Sequence, residues 1–191
     1  MNVLVDTNVI LDVLLERHPF YKDSFVIFQL MDQNIISGHL SAASMTDIFY
    51  LLRKSKYSIT ELYPVMDDLA AFFKVSPVNE TTIADALALR WKDFEDAVQF
   101  MVAKENGIEC IITRNAVDYE TTDIACVSPA EFIASFKEKG WFIKPWLASF
   151  QSISPYDNSE YYYQDLALQD EGGQRRVIFY RAAAILSYKL W

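Results

Sequence analysis

Val3-Leu4-Val5 followed by Asp6-Thr7-Asn8 is an unbroken apolar run closed by three polar residues. Such a run fits a strand buried on both faces of a parallel sheet, with the polar residues at its carboxyl end. Asn8 to Leu15 then reads as a short helix stopped at His18-Pro19, since proline disfavours helical geometry in the residue before it. From Pro19 to about Gln33 the apolar positions recur at helical spacing. Asn34 to Leu40 is a second strand, and Ser41 or Ser44 caps a helix running to about Lys54. The opening strand-then-helix pattern therefore repeats, and the doubly buried first strand is expected to run down the middle of the sheet.

The alternation continues. Ser58 to Phe73 is helical, Lys74 to Val78 a short strand, and Asn79 caps a helix through Ala84, Leu87 and Ala88. Asp93 caps the next helix, which ends at Asn106-Gly107. Ile108 to Thr113 and Ile124 to Val127 are strands, and Ser128-Pro129-Ala130-Glu131 opens a last helix with proline just inside it. The expected architecture is an α/β three-layer sandwich around a central parallel sheet of about four or five strands. It occupies residues 1–138, with residues 139–191 as a C-terminal extension.

Composition limits the functions on offer. The 191 residues are 52% hydrophobic and 15% aromatic, which suits one folded domain with an appendage. Lys and Arg total 17 against 26 Asp and Glu, so a broadly cationic protein that coats nucleic acid is excluded. Residues 1–140 hold 12 basic and 21 acidic side chains and residues 141–191 hold five of each, so the first part carries the whole net charge of -9. No apolar run approaches the roughly 18 residues of a membrane span, and the N-terminus lacks the basic start and long apolar stretch of a leader. The expectation is a cytoplasmic chain without membrane contact. Cys110 and Cys126 lie in apolar runs and read as two buried free thiols.

Four carboxylates fall where a parallel sheet presents groups to a ligand, at strand ends and in the first turns of the following helices. Asp6 closes the first strand, Asp47 follows the second, Asp96 opens the helix after Trp91, and Asp118 follows the strand ending at Thr113. Each has an ordinary alternative use: Asp6 as a helix cap, Asp47 and Asp96 as capping-box partners, Asp118 as a solvated turn residue. Their common sheet edge favours convergence. Clustered carboxylates repel unless a cation neutralises them, and an all-oxygen set suits Mg2+ or Mn2+. His18 and His39 read as a loop residue and a strand-flanking residue, without a metal role.

The segments Val3 to Asp12, Ser41 to Tyr50, Asp93 to Gln99 and Ile111 to Tyr119 resemble, in order and spacing, the motifs of PIN-domain ribonucleases, the family that includes VapC-like toxins of toxin-antitoxin systems. The resemblance covers roughly residues 1–138. It implies a Mg2+- or Mn2+-dependent endoribonuclease in which Asp6 and Asp96 are the principal metal ligands and Asp47 completes the set. It further implies that Asp118 or Asn115 supplies a fourth polar group, while Thr7 and Asn8 orient the metal or its waters. RNA would be the substrate, a cognate antitoxin the partner, and a homodimer the assembly. Asp47 stands where the family more often has Glu, and Asn115 where many members have Asp.

Arg114, directly after a strand beside the acids, is the basic residue expected to meet RNA, with Arg53 and Lys54 as further candidates; Lys56, Arg90, Lys92 and Lys104 complete a possible rim. A PIN-like scaffold without efficient chemistry, binding RNA or protein, is the competing reading. A phospho-aspartate domain ranks last, because no Lys stands late in the sheet. The aromatic-rich extension, with Tyr161-Tyr162-Tyr163, either docks on the domain or binds a partner.

Overall fold

The structure, a computed structural model, describes residues 1–55, 57–119 and 123–138. Five parallel strands form one sheet: β1 (Asn2–Val5), β2 (Ser37–Ser41), β3 (Lys74–Ser76), β4 (Cys110–Ile112) and β5 (Ala125–Val127). Their order is β3-β2-β1-β4-β5, so the opening strand is central, as its apolar run predicts. The helices are α1 (Thr7–Leu14), α2 (Tyr21–Asp32), α3 (Ala42–Lys54), α4 (Ile59–Phe72), α5 (Glu80–Leu89), α6 (Phe94–Glu105) and α7 (Pro129–Glu138). A single 3-10 turn spans Ala116–Asp118. The second strand begins three residues later than its apolar run suggests, because Asn34 takes a positive φ of 56° and turns the chain after α2.

Strand alternation divides the core. Val3 and Val5 of β1, Leu40 of β2 and Ile112 of β4 pack with residues of α1 to α4 and α7, whereas Leu4 and Ile111 point the other way, into a smaller cluster built on α5 and α6. The result is the expected three-layer sandwich. Helix α6 is hardly amphipathic in practice: every residue from Asp96 to Ala103 is buried, since the helix is covered by the sheet, by α5 and by Tyr119. Trp91 stacks on Phe100 at 5.1 Å and meets Tyr119 edge-on at 5.8 Å, fastening the segment after β4 to α6.

Two sequence expectations change and one alternative is decided. His39 lies inside β2 rather than beside it; it is buried, with Nδ1 3.0 Å from the Ser76 Oγ, and burial lowers its pKa. Cys110 is a buried free thiol, but Cys126 near the sheet edge is only half-buried. Of the two candidate caps for α3 it is Ser41 that serves, its side chain accepting from the Ala43 N–H at 3.2 Å. Lys56 and the proposed extension, including its tyrosine cluster, lie outside the described residues.

Leu4 is fully buried and brings β1 into the apolar cluster of the α5–α6 layer. Leu4→Ala is expected to cost about 2–5 kcal/mol, read as a lowered urea midpoint at unchanged slope.

Candidate functional site

The chain leaves β1 toward β2 and β3, then crosses by α5 and α6 to β4 on the other flank of β1. The connections from β1 and β4 thus diverge at their carboxyl ends, opening the crevice in which α/β sheets bind ligands. Asp6 and Thr113 stand there side by side. The register pairs Val5 with Ile112, and the Asp6 N–H donates to the Ile112 carbonyl at 3.0 Å.

Asp6 occupies the N-cap position of α1, but its side chain makes no capping bond. Instead Oδ1 accepts from Gln99 Nε2 at 3.0 Å and Oδ2 from Thr113 Oγ1 at 2.9 Å, although the residue is 2% exposed. The capping alternative for Asp6 is thereby displaced. On the facing helix Asp93 takes over that duty, accepting from the N–H groups of Glu95 at 2.9 Å and Asp96 at 3.4 Å. Asp96 is released to face Asp6.

Asp96 is 8% exposed, and its pKa is pushed up to about 7 by burial first and then by Asp6, Asp93, Glu95 and Asp118. Glu95 is raised as well, by burial and by Asp47, Asp6 and Asp93, against the hydrogen bond it accepts from Thr7 Oγ1 at 3.0 Å. Burial alone raises Asp47, which stands in the second turn of α3 because Ser41, not Ser44, is the cap. Asp118 is exposed in the 3-10 turn and acts on Asp96 through its charge. Tyr119 next to it is buried; its hydroxyl lies by Asp96 without a completed hydrogen bond, and its pKa is raised by burial and by Asp6 and Asp96.

The four acids foreseen from the sequence therefore share one electrostatic field. Among the described residues, however, no three His, Cys, Asp or Glu side chains close to metal-binding distance. Both oxygens of Asp6 are meanwhile held by Gln99 and Thr113. Thr7 is buried within this group, Asn8 half-buried beside it, and Asn115 exposed with its N–H donated to Thr113 Oγ1 at 3.0 Å.

The basic candidates are placed differently. Arg53 donates to the Tyr57 carbonyl at 3.1 Å and Lys54 lies 4.7 Å from the centre of the Tyr50 ring, both in the last turn of α3 and about 9 Å or more along it from Asp47. Arg114 is at the site, but its Nη1 is 2.9 Å from Oδ1 of the fully buried Asp12 and its guanidinium covers the Phe20 ring at 4.3 Å. Glu95, Gln99, Thr113 and Tyr119 were not foreseen from the sequence. Gln99 carried a signal, standing three residues after Asp96 and four after Glu95 and so beside both on the helix surface.

A family model described as PIN domain matches residues 2–116. The chain belongs to the PIN domain family. Among curated proteins, Ribonuclease VapC1 of Aquifex aeolicus (strain VF5) is 27% identical over 137 residues, covering 68% of this chain and 92% of the relative. Among solved structures, FitAcB from Neisseria gonorrhoeae superimposes with a TM-score of 0.53 at 17% identity, covering 67% of this chain and 98% of that one. FitAB bound to an IR36 DNA fragment gives 0.51 at 19% identity, covering 66% and 94%. These likenesses place the sandwich within the PIN fold.

In this PIN domain the raised Asp96 sets a pH dependence opposite to that of a salt-bridged carboxylate. The folded state holds the proton up to about pH 7, whereas an unfolded Asp releases it near 3.8. Metal-free stability attributable to Asp96 is therefore full at low pH and lost as pH rises through that window. Asp96→Asn is expected to raise the melting temperature at pH 8 in chelator by several degrees and to have little effect at pH 4, as followed by thermal denaturation.

Proposed function

We propose that this chain is a metal-dependent endoribonuclease and the toxin component of a toxin-antitoxin system. The observation that carries the reading is the gathering of Asp6, Asp47, Glu95, Asp96 and Asp118 at the carboxyl edge of the sheet, where burial first and the neighbouring acids second push the pKa of Asp96 up to about 7. A stable fold has no use for such repulsion in its own packing, and perturbed acids in a crevice mark a site of chemistry. Kinship with a protein named Ribonuclease VapC1 supports RNA as the substrate. On this reading a cognate antitoxin is the partner and a homodimer the assembly. Residues 139–191 are an extension to the nuclease domain of residues 1–138.

The residues present suit a hard divalent cation such as Mg2+ or Mn2+. Their donors are all oxygen, and the buried Gln99 Oε1 has no hydrogen-bond partner. Asp6, Asp96 and Asp47 would hold the ion, with Asp118 completing the acidic set. When bound, the ion polarises a phosphodiester and supplies an activated water for its hydrolysis.

The chain's own part is orientation and charge. Gln99 and Thr113 fix both oxygens of Asp6, and Thr7 fixes Glu95, so the acids meet a ligand with little left to order. Asn8 and Asn115 flank them as neutral donors. Arg53 and Lys54 contribute positive charge toward the RNA backbone at a distance, whereas the charge of Arg114 is taken up by Asp12. Asp96 would have to give up its proton to hold a cation, so metal affinity would rise with pH up to about 7.

Purified full-length chain is expected to cut a mixed RNA substrate with Mn2+ or Mg2+ and to stop in chelator. Asp6→Asn and Asp96→Asn should each lower the rate by at least about 100-fold while the chain remains folded by circular dichroism. A wild-type chain that binds Mn2+ yet cuts no RNA would replace the nuclease reading by that of a binding module.

A further inference from the structure

The acidic site absorbs Asp6, Asp47, Glu95, Asp96 and Asp118, but it leaves one charged pair unexplained. Asp12 is fully buried in α1, and its carboxylate accepts from Arg114 Nη1 at 2.9 Å on Oδ1 and from Ser24 Oγ at 3.3 Å on Oδ2. A buried ion pair contributes little stability over an apolar pair of the same shape, because both charges must leave water. Its use here is geometric. Thr113 and Arg114 are consecutive, and each is bound to an acid at one end of the same segment: Thr113 to Asp6 and Arg114 to Asp12.

Those two acids lie six residues apart, about 9 Å along the helix axis. The arginine side chain spans that distance, and the Phe20 ring beneath its guanidinium, 4.3 Å away, restricts it further. The first two residues after β4 are thereby tied to Asp6 and α1, while Tyr119 at the far end of the segment packs by α6. Thr113 Oγ1, held in place, donates to Asp6 and accepts from the Asn115 N–H at 3.0 Å, and Asp118 follows on the next turn.

We infer that the Asp12–Arg114 pair is a positioning device: it anchors the segment 113–118 on α1 and so sets Thr113 against Asp6 and delivers Asp118 to the acidic site. Arg114 serves the site through Thr113 rather than by touching substrate. The role in cation binding rests on the nuclease reading, whereas the anchoring itself does not.

The test compares the full-length chain with Arg114→Met, the double variant Asp12→Asn/Arg114→Met, and Arg114→Lys. Three properties are measured: melting temperature in chelator, amide hydrogen exchange of the segment 113–119, and Mn2+ affinity by calorimetry alongside RNA cleavage. Arg114→Met leaves a buried charge unpaired and is expected to melt well below the parent. The double variant removes both charges and is expected to regain most of that loss. It should nevertheless exchange the Asn115 amide at least tenfold faster than the parent, with β1 and α6 unchanged, and bind Mn2+ at least tenfold more weakly. Arg114→Lys keeps the charge without the planar fork and is expected to melt like the parent with intermediate exchange and affinity.

Parental exchange in a folded double variant, or in Arg114→Lys should the double variant fail to fold, overturns the anchoring. Faster exchange with parental Mn2+ affinity and cleavage overturns the positioning role. If the parent itself neither binds Mn2+ nor cuts RNA, the nuclease reading fails, and the anchoring is decided by exchange alone.

Discussion

A carboxylate buried at the end of the central strand constrains everything built around it. Asp6 cannot be solvated where it stands, so its oxygens must be satisfied by protein groups, and Gln99 and Thr113 supply them from two different elements. Gln99 requires α6 to pass over the carboxyl end of β1; Thr113 requires β4 to be the neighbour of β1 in this register. The strand order and the placement of α6 are thus tied to one side chain. Asp96, carried by the same helix, has no comparable donors, and the difference between two acids in one crevice follows from that inequality.

The consequence for electrostatics is an asymmetric site. One carboxylate is pinned by neutral donors, while its neighbour holds a proton until about pH 7. Glu95 stands between the two regimes, helped by Thr7 and opposed by Asp47 and Asp6. Such a group of acids is costly to the fold alone and becomes favourable when positive charge arrives.

Much of this was legible in the residues themselves. The apolar opening run placed β1 centrally because only a strand covered on both faces can dispense with alternation, and the Asn79 and Asp93 caps marked the starts of α5 and α6. The acids at strand ends followed from the same reasoning. The partners of Asp6 did not, since Thr113 lies 107 residues away and meets it only through strand register. His39 was misplaced because a polar residue in a three-to-five-residue strand reads as a boundary, whereas Ser76 on the neighbouring strand gives it a buried partner. Arg114 looked exposed from its position after β4, and nothing local announces that Asp12, buried one helix away in space, neutralises it.

The outer strands of the sheet are short. β3 and β5 have three residues each, and β3 places Lys74 and the exposed Val75 on the rim. A foreign strand pairing with either rim would complete only a brief ladder, and on one side it would have to desolvate a lysine beside it. The molecule is therefore poorly suited to growing by sheet extension, into fibrils or into a continuous sheet between copies.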